Sequence, residues 1–144
     1  MVIIPKRVMR QIQNHAASGY PEEVCGLLLG QWREADRREV SEAAGIDNVR
    51  ADRAGDRFEL DPRQHLRVQR RARQQGQAIV GVYHSHPDAA ATPSATDQAR
   101  AVEIWHDTPS WSYVIVSVEA GEAAQIASWV LRGGSFEQET IEQW

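Results

Sequence analysis

Cysteine is nearly missing from this chain: Cys25 is the only one in 144 residues. One thiol excludes an internal disulfide framework and a structural zinc site built from cysteines. Long apolar runs are missing too. Nowhere are there the roughly 18 unbroken apolar residues of a membrane-spanning helix. Val2-Ile3-Ile4, followed by Pro5-Lys6-Arg7, is far too short for the core of a signal peptide. A basic excess is also lacking, with 16 Lys and Arg against 20 Asp and Glu and a net charge of −4. That balance argues against a nucleic-acid partner, which needs clustered cations to neutralise phosphates. No internal repeat or low-complexity segment appears. What remains is ordinary for a globular protein, 42% apolar and 25% charged. The length suits one domain over residues 1–144 with a real core. The expectation is a soluble, cytoplasmic protein without a membrane partner.

Periodicity and turn residues predict mixed elements. Residues 2–4 suit a short strand. A helix over 6–17 places Val8, Met9, Ile12 and Ala16 on one face. Gly19-Tyr20-Pro21 breaks it, and an apolar run over 23–29, closed by Gly30, reads as a buried strand. A partner strand over 39–46, a polar loop over 47–56 and a short strand over 57–60 follow. Asp61-Pro62 marks a helix start, Asp capping and Pro at the first helical position, with the helix running to about residue 75. A strand over 78–84, a short helix opened by Ser94, strands over 111–118 and 123–131, and a last strand over 136–141 after Gly133-Gly134 complete the chain. Strands and helices do not alternate regularly. The expected class is α+β, a curved mixed sheet flanked by helices.

The most informative stretch is YHSHPDAAATPSATD, which holds His84-x-His86, seven further residues, then Ser94-x-x-Asp97. Two imidazoles and one carboxylate supply three ligands for zinc and leave a fourth tetrahedral position for water, as in catalytic sites. Residues two apart on a strand point to one side, with Cα atoms roughly 7 Å apart, so both histidines can reach one ion. Ser94 and Asp97 share a face at a helix start, whose amides and dipole favour anionic groups. Each half alone is weak: His-x-His is often a surface pair, and Ser-x-x-Asp is usually a capping motif. Asp88 is a rival ligand, since His84-x-His86-x-Asp88 opens like a metallo-β-lactamase motif, but Ala89 stands where that motif needs histidine. A cupin lacks its glutamate here, and a zinc deaminase lacks both His-x-Glu and Cys-x-x-Cys. Asp97 is the better third ligand.

With Glu23-x-Cys25-Gly26-Leu27-Leu28-x-Gly30 added, the chain resembles the JAMM/MPN+ (Mov34/MPN) metallopeptidases over essentially its whole length. The resemblance implies an MPN fold, like that of cytidine deaminases, and zinc-dependent hydrolysis of peptide or isopeptide bonds. It maps His84, His86 and Asp97 onto the family's zinc ligands. Glu23 falls on its general base, three residues before Gly26, and Ser94 on its oxyanion-stabilising serine. Glu22 is the neighbouring rival to Glu23.

The bacterial single-domain branch of that family is the more similar one. It implies a ubiquitin-like sulfur-carrier protein as partner, cleaved after a C-terminal Gly-Gly. The loops over 47–56 and 87–93 are candidate walls of a narrow channel for such a tail. Asn48 and Arg57 are candidates for binding its backbone or carboxylate, though loop polarity explains them equally well. Arg63, Arg67, Arg70 and Gln74 line one helix face, with Arg71 and Arg73 nearby; a solvated face explains them better than an acidic partner. His15, His65 and His106 read as surface or packing residues, and Cys25 as a small core residue. The alternatives are a metallopeptidase acting on other small conjugates, or a non-catalytic zinc-stabilised interaction module.

Overall fold

The structure, a computed structural model, describes residues 1–49, 59–105 and 111–144, and side chains within these except at 103–105. The elements in chain order are β1 (Val2–Ile4), α1 (Lys6–Gly19), β2 (Cys25–Arg33), β3 (Arg37–Ile46), α2 (Pro62–Gln74), β4 (Ala78–Pro87) and α3 (Ala95–Trp105). Four strands end the chain: β5 (Ser112–Glu119), β6 (Glu122–Arg132), β7 (Ser135–Glu139) and β8 (Ile141–Gln143). The fold class is α+β, as expected. The eight strands among the described residues form one mixed sheet in the order β7-β6-β5-β4-β2-β3-β1-β8.

Burial on two faces sorts the apolar residues. On one face α1 lays Val8, Met9, Ile12 and Ala16 against Leu28, Val40, Val80, Tyr83 and Val116. Each such burial is worth about 1.5–3 kcal/mol, so α1 is docked by its stripe. The opposite face carries Cys25, Leu27, Leu29, Ile46, Val82 and Tyr113, covered by Ala72 of α2 and Ala101 of α3. The start of α2 is capped as its sequence implies: the Asp61 carboxylate accepts N–H groups from Arg63 at 2.9 Å and Gln64 at 3.3 Å, with Pro62 at the first position. Arg63, Arg67, Arg70, Arg73 and Gln74 are exposed on α2, and Arg71 pairs with Glu42 at 2.8 Å.

Two features depart from the expected elements. The strand expected over 23–29 begins at Cys25 and runs on to Arg33, so Glu23 lies just before it. The expected last strand is split at Thr140: β7 pairs with β6, whereas β8 pairs with β1 at the far end of the sheet. One continuous segment therefore touches both ends of the strand order, curling the sheet almost into a barrel. Arg38, wholly buried, locks that seam. Its Nε donates to Ser112 Oγ at 2.7 Å, Nη1 to Asp36 at 2.8 Å and Nη2 to Glu139 at 2.7 Å. Glu139 also accepts from Ser128 Oγ at 2.7 Å and lies 3.0 Å from the Met1 ammonium. A buried guanidinium is tolerated because its donors meet carboxylates and a hydroxyl.

A bulge sets which way the histidines face. Leu28 pairs with Gly81 but Leu29 with Ile79, leaving Val80 as an extra residue in β4. Val80 falls on the α1 face while Ile79 and Val82 fall on the other. From Val82 onward alternation holds, so His84 and His86 share the face of Val82.

Candidate active site

His84 and His86 stand at the carboxyl end of β4, which runs parallel to β5 and crosses to it through α3. Open parallel strands bind ligands at that end. The His84 and His86 Nε2 atoms lie 3.0 Å apart, and Asp97 Oδ2 is 3.3 Å from the first and 3.0 Å from the second. The fold thus brings these three sequence-predicted residues together. Asp97 comes from the first turn of α3, where it forms a reciprocal cap with Ser94: the Asp97 N–H donates to Ser94 Oγ at 3.0 Å, and the Ser94 N–H donates to Asp97 Oδ2 at 2.9 Å. Capping and site-building are one arrangement here. Ser94 is exposed, and among the described residues its hydroxyl hydrogen is committed to none.

The register of the sheet delivers Glu23. Cys25 pairs with His84 in β2–β4, so carrying the register two residues on sets Glu23 opposite His86. Facing residues of an antiparallel pair point to the same side. A Glu23 carboxylate oxygen and ring nitrogens of both histidines accordingly all lie within 4.8 Å of one another. Glu23 is only 4% exposed, whereas neighbouring Glu22 is exposed, which removes Glu22 as a rival on this face. Gly26 is needed behind the site: a Cβ there would fall 2.2 Å from the Tyr83 ring, which stacks over the backbone and bonds His15 Nδ1 at 2.7 Å through its hydroxyl. Cys25 is buried, with its thiol pushed up to about 12 by burial first and then by the charges of Glu23 and Asp47. It is no nucleophile at neutral pH.

Charge is unevenly shared among the three converging groups. Burial presses His84 down against the pull of Asp97. Burial also opposes charge on His86, but the Asp97 hydrogen bond and the Ala90 carbonyl outweigh it and hold His86 up. Asp97 is buried too, yet the two imidazoles hold its carboxyl far below the usual carboxylate range. His86 Nδ1 faces Ala90 O at 2.8 Å; a carbonyl only accepts, so Nδ1 carries a hydrogen, and in the neutral ring it is Nε2 that turns a lone pair to the site. Lone pairs of nitrogen and carboxylate oxygen packed this closely are the donor set of a divalent cation.

The loop over 87–93 forms a wall of the cleft, and its residues 88–91 are each held by a hydrogen bond. Ser117 Oγ donates to Ala89 O at 2.7 Å, His86 to Ala90 O, and Trp129 Nε1 to Ala91 O at 3.1 Å. Asp88, at a φ of 52°, accepts from Tyr20 OH at 2.6 Å and from the Ala120 N–H at 3.1 Å. That commitment faces Asp88 away from the imidazoles. The cleft holds about 370 Å³ and is lined by Glu23, His86, Pro87, Ala89, Ala90, Thr92 and Ser94. Apart from Glu23 and His86 its side chains are small, and it lies within the size range of ligand pockets.

Of the proposed tail-binding residues, Asn48 is part-buried and engaged on both ends of its amide, to Glu23 O at 3.0 Å and from the Glu59 N–H at 2.9 Å. Arg57 and His106 lie outside the described residues, as do positions 50–56 of the polar loop. His65 is half-buried against Trp111 at a ring separation of 6.3 Å. Ser85, Ser117, Tyr20 and Trp129 also hold the site, and no motif in the sequence marks them. Only the placing of Ser85 between the two histidines could have drawn attention to it.

Over residues 5–132 the chain matches the family described as prokaryotic homologs of the JAB domain. It belongs to that family, and the JAMM/MPN resemblance read from its motifs holds. It is 37% identical over 111 residues to a desampylase of Haloferax volcanii, covering 76% of this chain and 73% of that protein. It is 28% identical over 141 residues to the CysO-cysteine peptidase of Mycobacterium tuberculosis, covering 98% of this chain and 90% of that protein. Its fold is similar to the solution structure of a protein from Desulfitobacterium hafniense, with a TM-score of 0.83 at 32% identity, covering 100% of this chain and 93% of that one.

Proposed function

We propose that residues 1–144 form one zinc peptidase domain that hydrolyses the bond after a C-terminal Gly-Gly of a ubiquitin-like sulfur-carrier protein. The observation that carries this reading is the convergence of His84, His86 and Asp97 within 3.3 Å beside the buried Glu23. Two neutral imidazole nitrogens and a carboxylate fit zinc by donor type, with three protein ligands and one position left over. Bound there, zinc would supply Lewis acidity, lowering the pKa of water from 15.7 to about 7 and polarising a carbonyl.

The chain's own groups do the rest. Glu23 takes a proton from the attacking water and returns it to the leaving nitrogen, so that water and amide become a carboxylic acid and an amine, the acid then passing its remaining proton to the amine or to solvent. The Ser94 hydroxyl donates to the carbonyl oxygen as it gains charge. His86, fixed through Ala90, keeps its lone pair on the site. The loop over 87–93 lines the cleft with Pro87, Ala89, Ala90 and Thr92, small side chains that suit the close approach of a tail without side chains. The names of two relatives, a desampylase and a CysO-cysteine peptidase, support a bond-cleaving role on such conjugates. No described helix is long and apolar enough to cross a membrane; we place the activity in the cytoplasm.

The test is mass spectrometry of sulfur-carrier fusions extended beyond Gly-Gly, incubated with and without a chelator. Cleavage after the second glycine, abolished by chelation and restored by zinc, is expected. An intact fusion under all conditions would leave the site to other small conjugates or to a non-catalytic interaction module.

A further inference from the structure

Glu23 lies beyond the start of β2, where the strand ladder stops at Cys25. One further backbone bond and side chains from two other segments hold the backbone there. Ser85, fully buried between the two histidines, accepts the Val24 N–H on Oγ at 2.8 Å and donates its own N–H to Val24 O at 3.0 Å. Asn48 follows β3, and the register Cys25↔Ile46 carried two residues on places it opposite Glu23. In place of a ladder bond, its Nδ2 donates to Glu23 O at 3.0 Å, while its Oδ1 accepts from the Glu59 N–H at 2.9 Å. An isolated bridge to Leu60 anchors Asn48 itself.

We infer that Asn48 and Ser85 are positioning residues that fix the Glu23 carboxylate relative to the imidazoles. The inference rests on reading Glu23 as the general base. Ser85 belongs to the strand that carries His84 and His86, so the Val24 backbone is tied to the histidines themselves. Asn48 holds the neighbouring peptide from the opposite side. Proton transfer needs the base within about 2.6–3.2 Å of its partner, and a displacement near 1 Å costs about 100-fold. A carboxylate on the first residues before a strand has no regular ladder to hold it that closely. The two side chains supply that restraint.

The halves of Asn48 are chemically separable. Asn48→Asp keeps an acceptor for the Glu59 N–H but has no donor for Glu23 O. The experiment measures kcat and KM on a Gly-Gly fusion, with zinc content and thermal midpoint, for wild type, Glu23→Gln, Asn48→Ala, Asn48→Asp, Ser85→Ala and Ser85→Thr. Asn48→Ala and Asn48→Asp are expected to lower kcat about 10- to 100-fold, with KM within about twofold and zinc content unchanged. Ser85→Ala is expected to do the same, and Ser85→Thr, which keeps the hydroxyl, to recover most of the loss. Wild-type kcat in Asn48→Asp would overturn the inference by reducing Asn48 to a loop anchor. A raised KM at constant kcat would make Asn48 a substrate contact instead, and losses tracking zinc content would make both residues merely structural. An inactive wild type or an active Glu23→Gln overturns the base reading itself, and the positioning role falls with it.

Discussion

Glu23 stands between His86 and Asn48: the β2–β4 register places it opposite the histidine, and the β2–β3 register opposite the amide. A carboxylate from outside the His-x-His stretch thereby reaches the imidazoles without joining their strand. Glu23 is only 4% exposed.

Replacing that carboxylate by its neutral isostere separates binding from turnover. Glu23→Gln should keep zinc and fold normally while losing about 10²–10⁴ in kcat, the usual weight of a general acid–base group. Elemental analysis beside steady-state kinetics checks this, and unchanged kcat would remove the assignment.

Ser94 is expected to show two separable losses. Ser94→Ala deletes the cap for the Asp97 N–H, costing about 1 kcal/mol of stability. If its hydroxyl is the oxyanion donor, as proposed, the same substitution also costs about 10²–10³ in kcat. Ser94→Thr keeps the hydroxyl and should stay within about tenfold of wild type. Denaturant melts and kinetics on the same preparations distinguish the two losses.

The seam around Arg38 predicts acid sensitivity remote from the cleft. Burial alone would raise Glu139, but hydrogen bonds from Ser112, Arg38 and Ser128 and the Arg38 charge hold it below its ordinary 4.5. Asp36 is held down likewise, burial being outweighed by Arg38 and Arg132. A carboxylate with a depressed folded pKa stabilises above its unfolded value and loses that contribution as pH falls through the folded one. Thermal midpoints should therefore be flat from neutral pH to about 5 and fall below the ordinary Glu value. Glu139→Gln should lower the neutral-pH midpoint and shallow the acid slope. Arg38→Met should cost about 3–5 kcal/mol by removing the buried guanidinium partner of Glu139. An identical acid slope in Glu139→Gln would contradict this account.

The elements best legible in the sequence were those fixed by neighbours along the chain. The apolar stripe of α1, the Asp61-Pro62 start of α2 and the Ser94–Asp97 cap all draw on residues within about two helical turns. His84, His86 and Asp97 were legible for the same reason, since one strand end and one helix start lie close in sequence. Glu23 was reachable only by family resemblance, because its place depends on a long-range register. The split at Thr140 and the Arg38 seam were invisible: Asp36, Ser112 and Glu139 are scattered along the chain and meet only when the sheet curls. Asp88 is the rival ligand that Ala89 already disfavours in the sequence. A positive φ and bonds to Tyr20 and Ala120 separate it from Asp97 in space.

The central claim is that His84, His86 and Asp97 together hold one zinc ion. Its most direct test is the zinc content of purified wild type, Asp97→Ala and Asp88→Ala, measured on one scale. About one zinc per chain in wild type and Asp88→Ala, with near-complete loss in Asp97→Ala, is the predicted result. Zinc retained in Asp97→Ala, or lost in Asp88→Ala instead, would contradict it.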